Sequence, residues 1–76
     1  PLKITLNGEA FEIAGPVTLR QLLTSLNIDP RRVAVEHNLK IVKRKLHDSL
    51  IVTEGDQVEV VNFVGGGSVQ LSTIND

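Results

Sequence analysis

One stretch of this 76-residue chain is apolar on both faces of an extended strand, and it runs straight into three consecutive glycines. In residues 57–64 the even positions Val58, Val60 and Val64 share one side, interrupted by Asn62. The odd positions Gln57, Glu59, Val61 and Phe63 change from polar to apolar towards the glycines. A strand that is apolar on both faces belongs in the middle of a sheet. The earlier segments must therefore supply its neighbours and cover it. Gly65-Gly66-Gly67 then adds no packing and costs conformational entropy. Such a run offers a thin peptide able to enter a channel where any side chain would clash. It points to a working end made of backbone. The plainer alternative is a linker between ordered segments.

Seventy-six residues make one small domain, which buries only roughly 60–65% of its unfolded surface. The chain has no cysteine, so neither disulfides nor thiolate metal sites can support it. The core must come from Val, Ile and Leu, because Phe11 and Phe63 are the only aromatics. The formal net charge of −1 is no basic footprint for nucleic acid, and stacking platforms for single strands are missing. No apolar stretch approaches a membrane span and no signal peptide opens the chain, so a cytoplasmic location is expected. Pro1 reads as the residue left by removal of an initiator Met.

Leu2–Leu6 alternates with period two, Asn7-Gly8 is a type I′ hairpin signal, and Phe11–Ile13 resumes the alternation. Residues 1–14 therefore read as a β-hairpin, broken by Gly15-Pro16. Leu19, Leu22, Leu23 and Leu26 then fall at i, i+3, i+4 and i+7, one face of a helix. Thr18 and Gln21 have capping-box spacing, and the helix should stop near Asn27, ahead of Asp29-Pro30. Val33–Glu36 and Ile41-Val42 read as strands around a turn at Asn38, and Glu54-Gly55-Asp56 is a turn before the last strand. The expected core packs Leu2, Ile4, Leu6, Val58 and Val60 on the leucine face. Residues 68–76 carry no assignable pattern and read as a flexible tail behind a domain spanning 1–67.

In this order, Lys3–Glu9, Thr18–Leu23, Pro30–Glu36, Glu54–Glu59 and Val61–Gly67 resemble the ubiquitin-like β-grasp sulfur carriers. Within them the chain is most similar to the thiamine-biosynthesis sulfur carrier (ThiS) family. The resemblance implies an α+β roll, a mixed sheet of four to five strands with one main helix across one face. It also implies a carrier rather than an enzyme, with no catalytic residue of its own and no bound cofactor. An adenylating activating enzyme would use ATP to activate a terminal glycine carboxylate. Sulfur from a cysteine desulfurase relay would convert it to a thiocarboxylate, and a thiazole synthase would receive the sulfur. The positions that match the terminus are Gly65, Gly66 and Gly67, and the partner-docking positions are Val61, Phe63 and Val64. Ordinary packing is the competing account of Val61 and Phe63.

Two departures stand out. The family often has Asn-Gly at its second hairpin, whereas Leu39 follows Asn38 here, which should loosen the turn. The family's working glycine is terminal, whereas this chain continues past Gly67 to Asp76. Cleavage after Gly66 or Gly67, or fusion to a partner enzyme, would reconcile the two. A molybdopterin-synthase-type small subunit, a fused carrier domain and a β-grasp interaction module that never carries sulfur remain alternatives. Arg31, Arg32, Lys40, Lys43, Arg44 and Lys45 form either a solvated face or a docking patch for an acidic partner. His37 and His47 read as surface residues rather than metal ligands, and no serine sits in a nucleophile motif.

Overall fold

The computed structural model describes residues 1–64 and 68–70. Expectations for Gly65, Gly66 and Gly67, and for residues 71–76, lie outside the described residues. Strands β1 (Leu2–Leu6) and β2 (Glu9–Ile13) form the expected antiparallel hairpin, with Ile4 opposite Phe11. Asn7 and Gly8 both take positive φ, 49° and 84°, as a type I′ turn demands.

Strand β3 (Val17–Thr18) leads directly into helix α1 (Leu19–Ser25). Thr18 Oγ1 accepts from the Gln21 N–H and the Gln21 side chain accepts from the Thr18 N–H, completing the capping box. The next two exposed donors of the helix are met from afar. Leu19 N–H donates to the Leu50 carbonyl and Arg20 N–H to the His47 carbonyl, both at 2.9 Å. At the other end Asn27 adopts φ 59°, and Ile28 N–H returns to the Leu23 carbonyl at 3.0 Å. The helix therefore stops where the sequence places its end.

Asp29 caps a 3₁₀ turn at Pro30–Arg32, which feeds β4 (Val33–His37) and β5 (Lys40–Val42). Their connection is tighter than expected. Asn38 and Leu39 both take positive φ, 51° and 72°, so the turn keeps type I′ geometry with a leucine where glycine is favoured. A second 3₁₀ turn, Arg44–Leu46, precedes β6 (Ile51–Val52), which pairs with β3 as a separate two-stranded sheet. Neither of these two-residue strands has a periodic signal in the sequence.

Strand β7 (Gln57–Val64) is central, as its apolar faces require. The main path runs β2-β1-β7-β4-β5, with β7 parallel to β1 and antiparallel to β4. This is the mixed sheet of a β-grasp roll. A sixth strand, β8 (Ser68–Gln70), pairs antiparallel with the end of β7. Those residues read from sequence as the start of a patternless tail.

The core packs Leu19, Leu22 and Leu23 of α1 against Ile4, Leu6, Val33, Val35, Val42, Val52, Val58 and Val60. Leu26 joins its edge, whereas Leu2 is only half-buried. His47 is a correction to the sequence reading: it is buried at 1% exposure, not on the surface. Its carbonyl must reach the start of α1, and the 3₁₀ turn carries its ring inward with it.

Candidate functional site

Backbone alternation in β7 decides what the sheet offers to a partner. Val58 and Val60 point into the core, so Gln57, Glu59, Val61 and Phe63 lie on the face away from α1. Val61 stands opposite Ala34 of β4 and is half-buried. Phe63, one step nearer the glycines on the same face, is 42% exposed. Val64 ends the strand, and only its backbone is described. The open face thus carries an apolar strip at Val61 and Phe63, at the C-terminal end of β7.

Beside the strip the charge is negative. Glu59 sits directly opposite Glu36, and Glu36 opposite Ile41, which is 75% exposed. Among the described residues neither glutamate is in an ion pair. Directly opposed like charges cost a sheet stability. The open face therefore combines an apolar strip with an uncompensated acidic pair, both of which a complementary partner would satisfy.

Most of both edges of β7 is paired. On one side β4 pairs from Val58 to Asn62. On the other, β1 reaches only Gln57 and Val58. Asn7 takes over there: its N–H donates to the Val58 carbonyl at 2.9 Å and its Oδ1 accepts from Val60 N–H at 2.8 Å. Beyond that, β8 pairs Asn62 with Gln70, Phe63 with Val69 and Val64 with Ser68. The Asn-Gly turn was legible as a turn, but this second role of Asn7 needs the β1–β7 pairing.

Of the six middle-third cations, only Arg31, Arg44 and Lys45 line one shallow cleft, and Arg20 joins them there with Asp29 and Pro30. Two of them are already engaged, Arg20 with Asp48 and Arg31 with Asp29. The Arg31 hydrogen bonds hold the Asp29 carboxyl down to about 2. No residue of the apolar strip lines this cleft.

The histidines are structural. His37 Nε2 and Asp56 Oδ2 lie 2.8 Å apart, and Asp56 also accepts from Thr53 N–H at 3.0 Å. Burial pushes the Asp56 carboxyl up, but the bonds from His37, Thr53 and Asn38 outweigh it and leave it below the usual range. Asn38 Oδ1 accepts from Gln57 N–H at 2.8 Å, so this cluster pins the second hairpin to the start of β7. Among the described residues neither ring nitrogen of His47 makes a well-formed hydrogen bond, and burial pushes its pKa down against the opposing pull of the Val42 backbone. Among the described residues no group of three His, Cys, Asp or Glu could hold a metal, and no helix is long and apolar enough to cross a membrane.

A model of the ThiS family matches residues 4–67, from the first strand through the glycine run. The chain belongs to the ThiS family. The crystal structure of the thiamine biosynthesis protein ThiS from Geobacter metallireducens superposes with a TM-score of 0.79 at 32% identity, covering 87% of this chain and all 100% of that one. The sulfur carrier protein ThiS of Bacillus subtilis is 34% identical over 50 residues, 66% of this chain and 76% of its own length. A thiazole synthase of Paramagnetospirillum magneticum is 42% identical over 69 residues, which is 91% of this ThiS-family chain but 21% of the synthase. The chain thus spans about a fifth of the first curated relatives it matches. The β-grasp architecture expected from the sequence is therefore borne out by both the strand order and the superposition.

Proposed function

We propose that this chain is a sulfur carrier of thiazole formation in thiamine synthesis, working through a glycine carboxylate at Gly66 or Gly67. The observation that carries this is the apolar strip Val61–Phe63 on the open face of β7, leading directly into the glycine run of a chain without cysteine. With no thiol on any side chain, sulfur has only a backbone carboxylate to ride on. The membership and the carrier relatives support the same reading.

The chemistry divides between this chain and its partners. An activating enzyme supplies ATP and the phosphate-binding groups, because this chain has no phosphate loop. The glycine carboxylate attacks the α-phosphorus, pyrophosphate leaves, and an acyl-adenylate forms. A sulfur nucleophile delivered by a cysteine desulfurase relay adds to the carbonyl carbon. The C–O bond to AMP breaks, leaving an acyl disulfide to the relay cysteine; a second partner thiol attacks that cysteine's sulfur, is oxidised to a disulfide with it, and the thiocarboxylate is released. Glycine leaves both faces of that carbonyl open to attack. A thiazole synthase then accepts the sulfur. Val61, Phe63 and Val64 dock the activating enzyme and the synthase in turn, and the Glu36–Glu59 pair calls for a cationic rim on each. The chain itself catalyses none of these steps.

The test is ATP–pyrophosphate exchange by the cognate activating enzyme with a chain ending at Gly67. Exchange that depends on the chain and vanishes when 65–67 are deleted supports the carrier. Exchange indifferent to the chain would sink it. A second reading follows from the 91% match to a fifth of a thiazole synthase: the carrier domain operates inside a longer synthase-like polypeptide. Recovery of a cell-derived species much larger than this chain, reacting with antibody to residues 1–64, would favour it.

A further inference from the structure

We propose that the cleft lined by Arg20, Arg31, Arg44 and Lys45 docks an acidic peptide segment of a protein partner, on the helix side of the sheet. The site stands apart from the carrier chemistry, since no residue of the apolar strip lines it.

The backbone fixes the cleft. Leu19, Leu22 and Leu23 are buried, so the helical period leaves Arg20 on the exposed face of α1. His47 ties that helix to the second 3₁₀ turn. Its carbonyl accepts from Arg20 N–H at 2.9 Å, and its own N–H donates to the Arg44 carbonyl at 3.1 Å. Arg31 is held on the third side by Asp29, whose Oδ1 accepts from Arg31 N–H at 2.9 Å. The cations are thus placed by bonds of the fold, ahead of any ligand, and Arg20, Arg31, Arg44 and Lys45 are all exposed.

Two carboxylates of the chain itself show what these cations hold. Arg31 grips Asp29 through both Nε, at 3.2 Å, and Nη2, at 2.9 Å, the fork geometry that matches a carboxylate. Asp48 accepts from Arg20 Nε. Among the described residues the side chains of Arg44 and Lys45 enter no ion pair. A chain with a formal net charge of −1 therefore keeps a local positive surplus here. The Asp29 carboxylate in the wall works against a phosphate dianion, which would bring two negative charges beside it. No aromatic residue lines the cleft to stack a nucleobase. Its volume of about 810 Å³ and open form suit several side chains of an extended segment better than one enclosed ion. Exposed pairs are weak singly, so the site speeds encounter and sets orientation more than it adds affinity. The open face of the sheet carries the Glu36–Glu59 pair and the helix side carries the cations, so two partners of opposite charge can sit on the domain at once.

The experiment titrates the ¹⁵N-labelled full chain with acetyl-tetraglutamate amide, with acetyl-tetraglutamine amide and with inorganic phosphate. Saturable amide shifts at Arg20, Arg31, Arg44 and Lys45 are expected with tetraglutamate and none with tetraglutamine, while Val61 and Phe63 stay unmoved. The double variant Arg44→Glu, Lys45→Glu should weaken tetraglutamate binding by about tenfold, with the rest of the spectrum unchanged. Should charge reversal disturb the 3₁₀ turn, Arg44→Gln with Lys45→Gln replaces it, with a weakening of about threefold expected. Unchanged affinity in a folded variant, no saturation with tetraglutamate, or shifts spread equally over Lys3, Lys40 and Lys43 would overturn the site. Tighter binding of phosphate to the same residues would assign a small-anion pocket and overturn peptide docking. Line broadening that grows with protein concentration without peptide, and disappears in the double variant, would give the cleft to the acidic face of a second copy and also overturn it. Each of these failures leaves the carrier reading standing.

Discussion

Replacing Leu39 by glycine should stabilise the protein more than replacing it by alanine, the reverse of the usual order in extended structure. Leu39 sits at φ 72° with 78% of its surface exposed. An L-residue in the left-handed region costs about 1–2 kcal/mol. Both substitutions give up the same modest side-chain contact, so that contribution cancels between them. Glycine alone relieves the strain, and against this it frees the unfolded chain by about 0.4–1 kcal/mol. The difference leaves Leu39→Gly more stable than Leu39→Ala by about 0.5–1 kcal/mol. For a domain of this size that is a gap of roughly 2–8 °C in midpoint, taken from about 4–8 °C per kcal/mol. Thermal and urea unfolding followed by far-UV circular dichroism would measure both. An alanine variant as stable as the glycine variant would refute the claim that this turn is a strained type I′.

Three further outcomes follow from other parts of the structure. Asn7→Ala loses both the tolerance for φ 49° and the acceptor for Val60 N–H, so urea unfolding should show a loss of about 2–3 kcal/mol, with Asn7→Asp recovering most of it. Unfolded His47 takes its proton near 6.5 and the folded ring only at lower pH, so stability is full above that value and falls as pH drops below it; in His47→Leu the fall between pH 6.5 and 5 should disappear from the unfolding curves. Phe63→Ser should leave stability within about 0.5 kcal/mol but weaken binding to thiazole synthase by roughly tenfold in calorimetry, and unchanged affinity would remove the docking claim.

The elements that could be read in advance are those whose signals are local. Asn7-Gly8 fixes its own turn, Thr18 and Gln21 fix the helix start, and Asn27 takes the left-handed position that ends it. Strand β7 was legible as central because its own composition needs cover on both sides. Strands β3 and β6 were not, since two residues carry no periodicity and their pairing depends on Leu50 meeting the helix start. The burial of His47 has the same cause: its carbonyl is drawn to Arg20 N–H, a contact separated by many residues. A histidine between two 3₁₀ and helix-start obligations leaves no mark in sequence. The turn at Asn38-Leu39 stays tight despite a leucine where glycine is favoured, because the pairing of β4 with β5 and the Asn38–Gln57 bond hold it.

For the site, the face of Val61 and Phe63 followed from alternation alone, and the structure keeps both residues on it. The acidic pair beside them did not, because Glu36 and Glu59 meet only once β4 and β7 take their register. Strand β8 was missed for a related reason. Ser68–Gln70 has no strand signal of its own, and it pairs because β1 ends too early to cover β7.

The most direct measurement of the central claim is the intact mass of the protein recovered from its own cells, before and after incubation with ATP, the activating enzyme and a sulfur source. A species ending at Gly66 or Gly67 that gains the mass difference between oxygen and sulfur is the predicted result. A chain whose mass never changes, with the glycines always internal, would contradict it.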